Sequence, residues 1–372
     1  MSPRATSAAA EANAARQEAA AEQRRADLAA LEFPLGDTTP GPAETIELAP
    51  GVHWLRMPLP AALDHINLWL LEDGDDWVIV DTGFANDETR ALWRTLAKDR
   101  MGGRTAPRII VTHFHPDHSG LAGWLCQQHD ATLWISRTEW LMHKMLMFDD
   151  AGRNSGFQAE FYRLHGLHAD DAYKMVKRGN AYQWVSVEAP HDFHRLTDGE
   201  TFEVGGRGWR VIVGTGHAPE HVSLYCEALG VLISGDQILP RITPNITLPG
   251  SQPTTNPLDD YLTSIERFRA LPEDTLVLPS HILPFRGLHR RVAQLQRHHA
   301  DRLGEILEAV DRPMTAAEVV PVLFGAGREL DLFQRGFAMG EALAHLAYLE
   351  KQGRLRCERG PDGLFRYAPA AA

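Results

Sequence analysis

The run Thr112-His113-Phe114-His115-Pro116-Asp117-His118-Ser119-Gly120 constrains this chain more than any other stretch. Four side chains able to hold a metal fall within six residues. The apolar Arg108-Ile109-Ile110-Val111 comes just before and reads as a buried strand, and a helix-like segment follows from Ser119 to Gln128. The four residues therefore belong on a strand-to-helix loop at a sheet edge. Where that loop is extended, His113 and His115 point to one side. The turn at Pro116 then re-aims Asp117 and His118. This arrangement suits two neighbouring metals. In a chain with 18 histidines a lone one would be ordinary; four ligand types at this spacing are not.

A two-metal site needs about seven or eight ligand positions, so this motif cannot complete one alone. Three later loops supply candidates. His217 lies in Gly214-Thr215-Gly216-His217-Ala218-Pro219, after the apolar Trp209–Val213. Asp236 lies in Ser234-Gly235-Asp236, after Val231–Ile233. His281 lies in Pro279-Ser280-His281, after Thr275–Leu278. Each follows an apolar strand and has a small residue beside it. Taken singly, a structural His or an N-capping Asp explains each; together, with the first motif, they read as ligands leaving one edge of a layered core.

The remaining pattern divides the chain in three. Residues 1–43 are an Ala-rich tail and linker: residues 1–32 are helix-prone but poor in large apolar residues before Leu28 and Leu31 and thus outside the core, and residues 34–43 form a Pro-rich linker. Residues 44–288 alternate short strands and helices, with strands expected at Val52–Met57, Ile66–Glu72 and Trp77–Asp81 and a helix at Glu88–Lys98. A helical insertion over about 137–182 interrupts this rhythm. Its Met142, Met145 and Met147 belong to a helix packed on the core or, alternatively, line an apolar pocket. Residues 289–372 give three helices and a hairpin around Gly360-Pro361-Asp362-Gly363, a winged-helix-like α+β unit.

Charge limits the partners. The net charge of −12 argues against broad nucleic-acid or anionic-membrane binding. The winged-helix-like tail carries 12 basic against 11 acidic residues, and its third helix sets Glu341 and Glu350 against Arg335 and Lys351. That is no phosphate-binding face. The tail is read as a structural or dimerisation add-on, which admits a homodimer. Cys126, Cys226 and Cys357 are scattered, without a CxxC pair, which fits a reducing compartment. No apolar run reaches the ~18 residues of a membrane span, and the N-terminus lacks the apolar centre of a secretory signal. The expected location is the cytoplasm.

In its ordered set of motifs the chain resembles the metallo-β-lactamase superfamily over roughly residues 46–285. The matching pieces are Val80-Asp81-Thr82-Gly83, the His113/His115/Asp117/His118 run, His217, Asp236 and His281. The resemblance implies an αββα sandwich with a dinuclear metal site at one edge. It puts His113, His115 and His217 on one metal and Asp117, His118 and His281 on the other, with Asp236 between them. It makes Asp81 a residue that orients ligands, and Asp117 a helper in proton transfer. Imidazole and carboxylate suit two zinc ions per chain, with iron or manganese as alternatives.

The resemblance further implies a hydrolase in which a metal-bridging hydroxide attacks an ester-like carbonyl. An acid at Asp236 is similar to the glyoxalase II, lactonase and thioesterase-like branches, so a thioester, a lactone or a related small molecule is the expected substrate. His65, Asn67, His221 and Asn245 are the candidate pocket residues, while His298 and His299 read as solvated surface. Two alternatives share the motif: a two-metal phosphodiesterase or nuclease, and a mononuclear iron sulfur dioxygenase.

Overall fold

Alternation along the strands dictates the layering. In the computed structural model, which describes residues 22–23, 25–60, 63–149 and 152–370, the nine residues of strand β3 (His65–Asp73) show it plainly. Ile66, Leu68 and Leu70 enter one cluster, and Trp69 and Leu71 enter another. Successive side chains of a strand face opposite ways, and here both faces are apolar, so both must be covered. The strand joins β1 (Ile46–Ala49), β2 (Val52–Pro58), β4 (Asp76–Val80), β5 (Arg108–Ile110), β6 (Thr132–Ser136) and β7 (His194–Leu196) in a seven-stranded sheet that follows chain order. Pairing is antiparallel from β1 to β4 and parallel from β4 to β7.

A second sheet of five strands has the order β12-β11-β10-β9-β8. It comprises β8 (Thr201–Val204), β9 (Arg207–Gly214), β10 (His221–Cys226), β11 (Val231–Gly235) and β12 (Leu276–Pro279). Val211, Leu224, Ile233 and Leu278 face the first sheet and meet Trp54, Trp69, Val80 and Ile110 there. The intervening Leu232 and Val277 face outward.

Helices close both outer faces. Trp93 and Leu96 of α1 (Asp87–Asp99) and Leu125 of α3 (Ala122–His129), which follows the short α2 (Pro116–Ser119), cover the first sheet. Three helices then form the insertion: α4 (Arg137–Met147), α5 (Arg153–Leu164) and α6 (Ala169–Arg178). Leu258, Tyr261 and Ile265 of α7 (Pro257–Glu266) cover the second sheet. The layers run helix, sheet, sheet, helix.

The C-terminal part consists of α8 (Leu288–Ala309), α9 (Ala316–Phe324), α10 (Leu332–Lys351) and the antiparallel hairpin β13 (Leu355–Arg359) and β14 (Phe365–Pro369). Reciprocal capping boxes, Thr315 with Glu318 and Asp331 with Gln334, start α9 and α10. Val292, Leu295, Val319, Leu343 and Leu346 lie in one continuous cluster with Tyr261, Leu232 and Val277.

Two expectations change, and one strand is new. Residues 1–21 and 24 of the Ala-rich tail lie outside the described residues, but Leu31 is buried in the core. The tail is anchored there because Gln294 donates to the Asp27 carbonyl and Arg297 pairs with Asp27. Strand β7 has too short a pattern to read from sequence, and pairing with β6 creates it. His299 is fully buried rather than solvated, with its Nδ1 3.1 Å from His345 Nε2.

Candidate metal centre

Every residue of the first motif and of the three later loops follows the C-terminal end of a strand, and all these ends lie at one edge. His113 to His118 follow β5, His217 follows β9, Asp236 follows β11 and His281 follows β12. Asp81 follows β4. Two backbone bonds close the two sheets at this edge. Asn67 N–H donates to Ser280 O (2.7 Å), and Val222 N–H donates to Thr112 O (2.8 Å). Local sterics need glycine at two ligand loops. Gly216 has φ +95°, and a Cβ there would lie 2.5 Å from Pro257 O; Gly235 has φ +54°, and a Cβ would lie 2.4 Å from His221 Nε2.

The ligand atoms converge in groups of three. His113, His115 and His217 form one group; Asp117, His118 and His281 form another; His113, His118 and Asp236 form a third between them. Asp236 faces both sides. Its Oδ2 lies 3.5 Å from His217 Nε2, while its Oδ1 lies 3.6 Å from His118 Nε2 and 3.4 Å from His281 Nε2. Asp117 Oδ2 lies 3.4 Å from His281 Nε2.

The outer hydrogen bonds of the imidazoles decide which nitrogen faces inward. His217 Nδ1 donates to Asn245 O (2.9 Å), His281 Nδ1 donates to His65 O (3.0 Å), and His118 Nδ1 donates to Asp81 Oδ2 (2.8 Å). Carbonyl and carboxylate oxygens only accept, so each of these rings turns Nε2 toward the centre. Asp81 also accepts from Thr112 N–H (2.8 Å) and from Thr112 Oγ1 (2.9 Å). It is itself fully buried, at φ +62°, a backbone conformation Asp tolerates better than most residues.

This donor set fits metal ions. Among the described residues, His118 Nε2 and Asp236 Oδ1 are buried without a hydrogen-bond partner, and His217 Nε2 sits 3.2 Å from His113 Nε2. Polar atoms gathered so closely away from water demand a shared partner. Electrostatics agree. Burial, with His217 beside it, pushes His115 down to about 3. Burial opposes charge on His281, but Asp236 and Asp117 outweigh it and carry His281 up to about 10. Burial also opposes ionisation of Asp117, yet His118 and His281 hold it at about 2. Burial likewise opposes charge on His118, but Asp117, Asp81 and Asp236 outweigh it and raise His118. The cluster thus keeps its acids ionised and draws protons onto His118 and His281, which a cation would displace.

The four candidate pocket residues adjoin the ligands, and their polar atoms are engaged by other groups of the protein. His221 is fully buried, and its Nε2 accepts from Asp236 N–H (3.0 Å). Asn67 is fully buried, donates to Pro279 O (2.8 Å) and accepts from Arg56 Nε (3.0 Å). Neither offers a surface to a substrate. His65 binds Asp64 through Nδ1 (2.7 Å) and accepts from Ile282 N–H through Nε2 (3.0 Å). Asn245 donates to Glu341 (3.2 Å) and accepts from Thr247 Oγ1 (2.6 Å). Both are half-buried and hold groups beside ligands His281 and His217. Ile282, at φ +76°, is a strained conformation for a β-branched residue. His65 holds its N–H, and Arg56 binds its carbonyl.

Sequence reasoning missed a second layer. Glu139 of α4 is fully buried and accepts from Phe114 N–H (2.9 Å) and Glu220 N–H (2.6 Å), tying the first motif to the His217 loop. Burial pushes it up to about 7, against those two bonds. Tyr182 donates to Phe114 O and lies 2.8 Å from His143 Nδ1. An acid or a tyrosine inside a helical pattern carries no ligand spacing, so no signal marked them. The insertion's Leu141, Met145 and Phe148 are exposed, and Met142 and Met147 are half-buried.

Comparison with known proteins agrees with this geometry. The metallo-beta-lactamase superfamily model matches residues 61–281, and a model of the metallo-beta-lactamase-like C-terminal domain matches residues 303–370. The crystal structure of a beta-lactamase domain protein from Burkholderia ambifaria superposes with a TM-score of 0.87 at 43% identity, covering 93% of this chain and 100% of that one. A probable metallo-hydrolase, YqjP of Bacillus subtilis, is 26% identical over 80% of this chain and 92% of its own length. The human acyl-coenzyme A thioesterase MBLAC2 is 24% identical over 69% of this chain and 86% of its own. Among the described residues, no helix is long and apolar enough to cross a membrane. With its ligand-bearing strand ends, its layered sheets and its matching relatives, this chain belongs to the metallo-beta-lactamase superfamily and is a metal-dependent hydrolase of it.

Proposed function

We propose that the protein is a dinuclear zinc hydrolase that cleaves a small thioester, with lactones and related esters as neighbouring substrate classes. The observation that carries this reading is Asp236, whose two oxygens face different histidine groups. One group is His113, His115 and His217, and the other is Asp117, His118 and His281. Two divalent cations, when bound, would acidify a shared water and polarise the carbonyl it attacks. The chain's own residues supply the rest. Asp81 and the Asn245 and His65 carbonyls hold the rings in one tautomer. Asp117, with its side chain 17% exposed, is more open than Asp236 and would pass the proton, a role its exposure supports. The thioester class draws support from the relative named as an acyl-coenzyme A thioesterase and from another named hydroxyacylglutathione hydrolase.

The test is elemental analysis of protein purified without added metal, beside turnover of thioester, lactone, β-lactam and phosphodiester substrates. About two zinc ions per chain with thioester or lactone turnover is the expected result. One iron per chain with oxygen uptake overturns hydrolysis by two zinc ions. Two zinc ions with turnover of phosphodiesters alone keeps the metal assignment and replaces the substrate class.

A further inference from the structure

The C-terminal part reaches the metal centre through the loop of residues 236–256, between β11 and α7. This loop supplies the Asn245 carbonyl that accepts from His217 Nδ1 at 2.9 Å. The loop has no strand or helix between Asp236 and Pro257, so its shape comes from what surrounds it. Much of that surrounding is C-terminal. Arg291 of α8, itself buried, donates to the carbonyls of Leu239 (2.5 Å) and Ile242 (2.8 Å). Leu248 N–H donates to Gly340 O of α10 at 3.1 Å. At Gly340 the loop and helix are so close that a Cβ would lie 2.6 Å from Thr247 Cγ2 and 2.9 Å from Tyr162 Oη. Beside this contact, Asn245 Nδ2 donates to Glu341 Oε2 at 3.2 Å, while Thr247 Oγ1 donates to Asn245 Oδ1 at 2.6 Å. Both ends of the Asn245 amide are thereby held, and its own backbone carbonyl is the atom that orients His217.

We infer that Glu341 of α10 is a positioning residue for the His113/His115/His217 position, acting through Asn245 on the His217 ring. The C-terminal part is then a component of the metal centre as well as a cover for the second sheet. The two histidines of the other group are braced independently of it. His118 rests on Asp81, and His281 rests on the His65 carbonyl. Loss of the Glu341 contact should therefore act on one metal position and spare the other.

This inference rests on the dinuclear reading above, and the experiment separates the two. Full-length wild type, Glu341→Ala, Glu341→Gln, Asn245→Ala and the double alanine variant are titrated with zinc against a chromophoric chelator. Circular dichroism and a melting curve of each metal-free protein run in parallel. Outer partners of ligating histidines are worth roughly 10–100-fold in metal affinity. Because Glu341 acts at one remove, Glu341→Ala should weaken one of two binding steps by about 10-fold, at the low end of that range. Glu341→Gln keeps an acceptor oxygen and should recover most of the loss. Asn245→Ala keeps the backbone carbonyl but loses the same tie, so the double variant should match the worse single one instead of summing their effects. Unchanged affinities in Glu341→Ala overturn the inference. So does equal weakening of both steps, no recovery in Glu341→Gln, or additive losses. Wild-type protein that takes up no metal removes the dinuclear reading and the inference with it, whereas two normal steps in wild type and in Glu341→Ala remove the inference alone.

Discussion

At the residue scale, the site is a set of imidazoles each fixed from behind. Asp236 is the residue whose loss should separate the two halves of the centre, since it alone among the ligands faces both outer groups through different oxygens. Asp236→Ala is expected to lower metal content and to cut turnover roughly 10²–10³-fold, measured by elemental analysis and steady-state kinetics. His65 makes a contrasting case. Its Nε2 holds the N–H of strained Ile282 beside ligand His281, so His65→Ala should act on kcat and zinc retention and leave KM nearly unchanged. A variant that raises KM alone would return His65 to the substrate pocket. Glu139 tests the buried acid. Its pKa is raised, so its stabilising neutral form is favoured at low pH; that contribution is full below about 4.5 and is lost as pH rises through about 7. Glu139→Gln does not titrate. The stability of that variant relative to wild type should thus climb between pH 5 and pH 8, by at most about 3 kcal/mol, as followed by unfolding midpoints of metal-free protein.

At the scale of elements, the junction from β5 through α3 sets the first motif. Short α2 and α3 must approach the segment that returns from the insertion, and glycine makes this approach feasible. A Cβ at Gly123 would sit 1.9 Å from Glu188 O, a backbone atom that cannot swing aside. Gly123→Ala should cost about 3 kcal/mol or more, read from denaturant unfolding, and should weaken metal retention because α2 carries Asp117 and His118. The insertion supports the same junction from the other side. Glu139 and Tyr182 grip the two backbone groups of Phe114, the residue between His113 and His115.

For the whole molecule, the continuous cluster that joins the second sheet to α8, α9 and α10 predicts shared stability. A chain ended before Leu288 would strip α8, α9 and α10 from that cluster and uncover the α7 side that packs on them, where Tyr261 meets His299. Such an exposed apolar face favours aggregation. Limited proteolysis of the full chain should accordingly release no stable fragment that ends near residue 288, and the truncated chain should be recovered mainly insoluble. A soluble truncated chain that binds two metals with normal affinity would show the C-terminal part to be dispensable.

Local pattern determined the elements. Strands such as Thr201–Val204 and helices such as α8 to α10 were legible because apolar spacing and turn residues act over a few neighbours. The seven ligand-type residues were legible because each follows a strand and because ligand chemistry admits few residue types. What surrounds them was not. His221, Asn67, His65 and Asn245 looked like pocket residues by proximity in sequence, yet their partners, Asp236, Pro279, Ile282 and Glu341, come from distant segments. His299 is buried only because α8 packs on α10 and α7. Side-chain direction and burial depend on which elements meet, and that is decided by packing between residues far apart in the chain rather than by any local spacing.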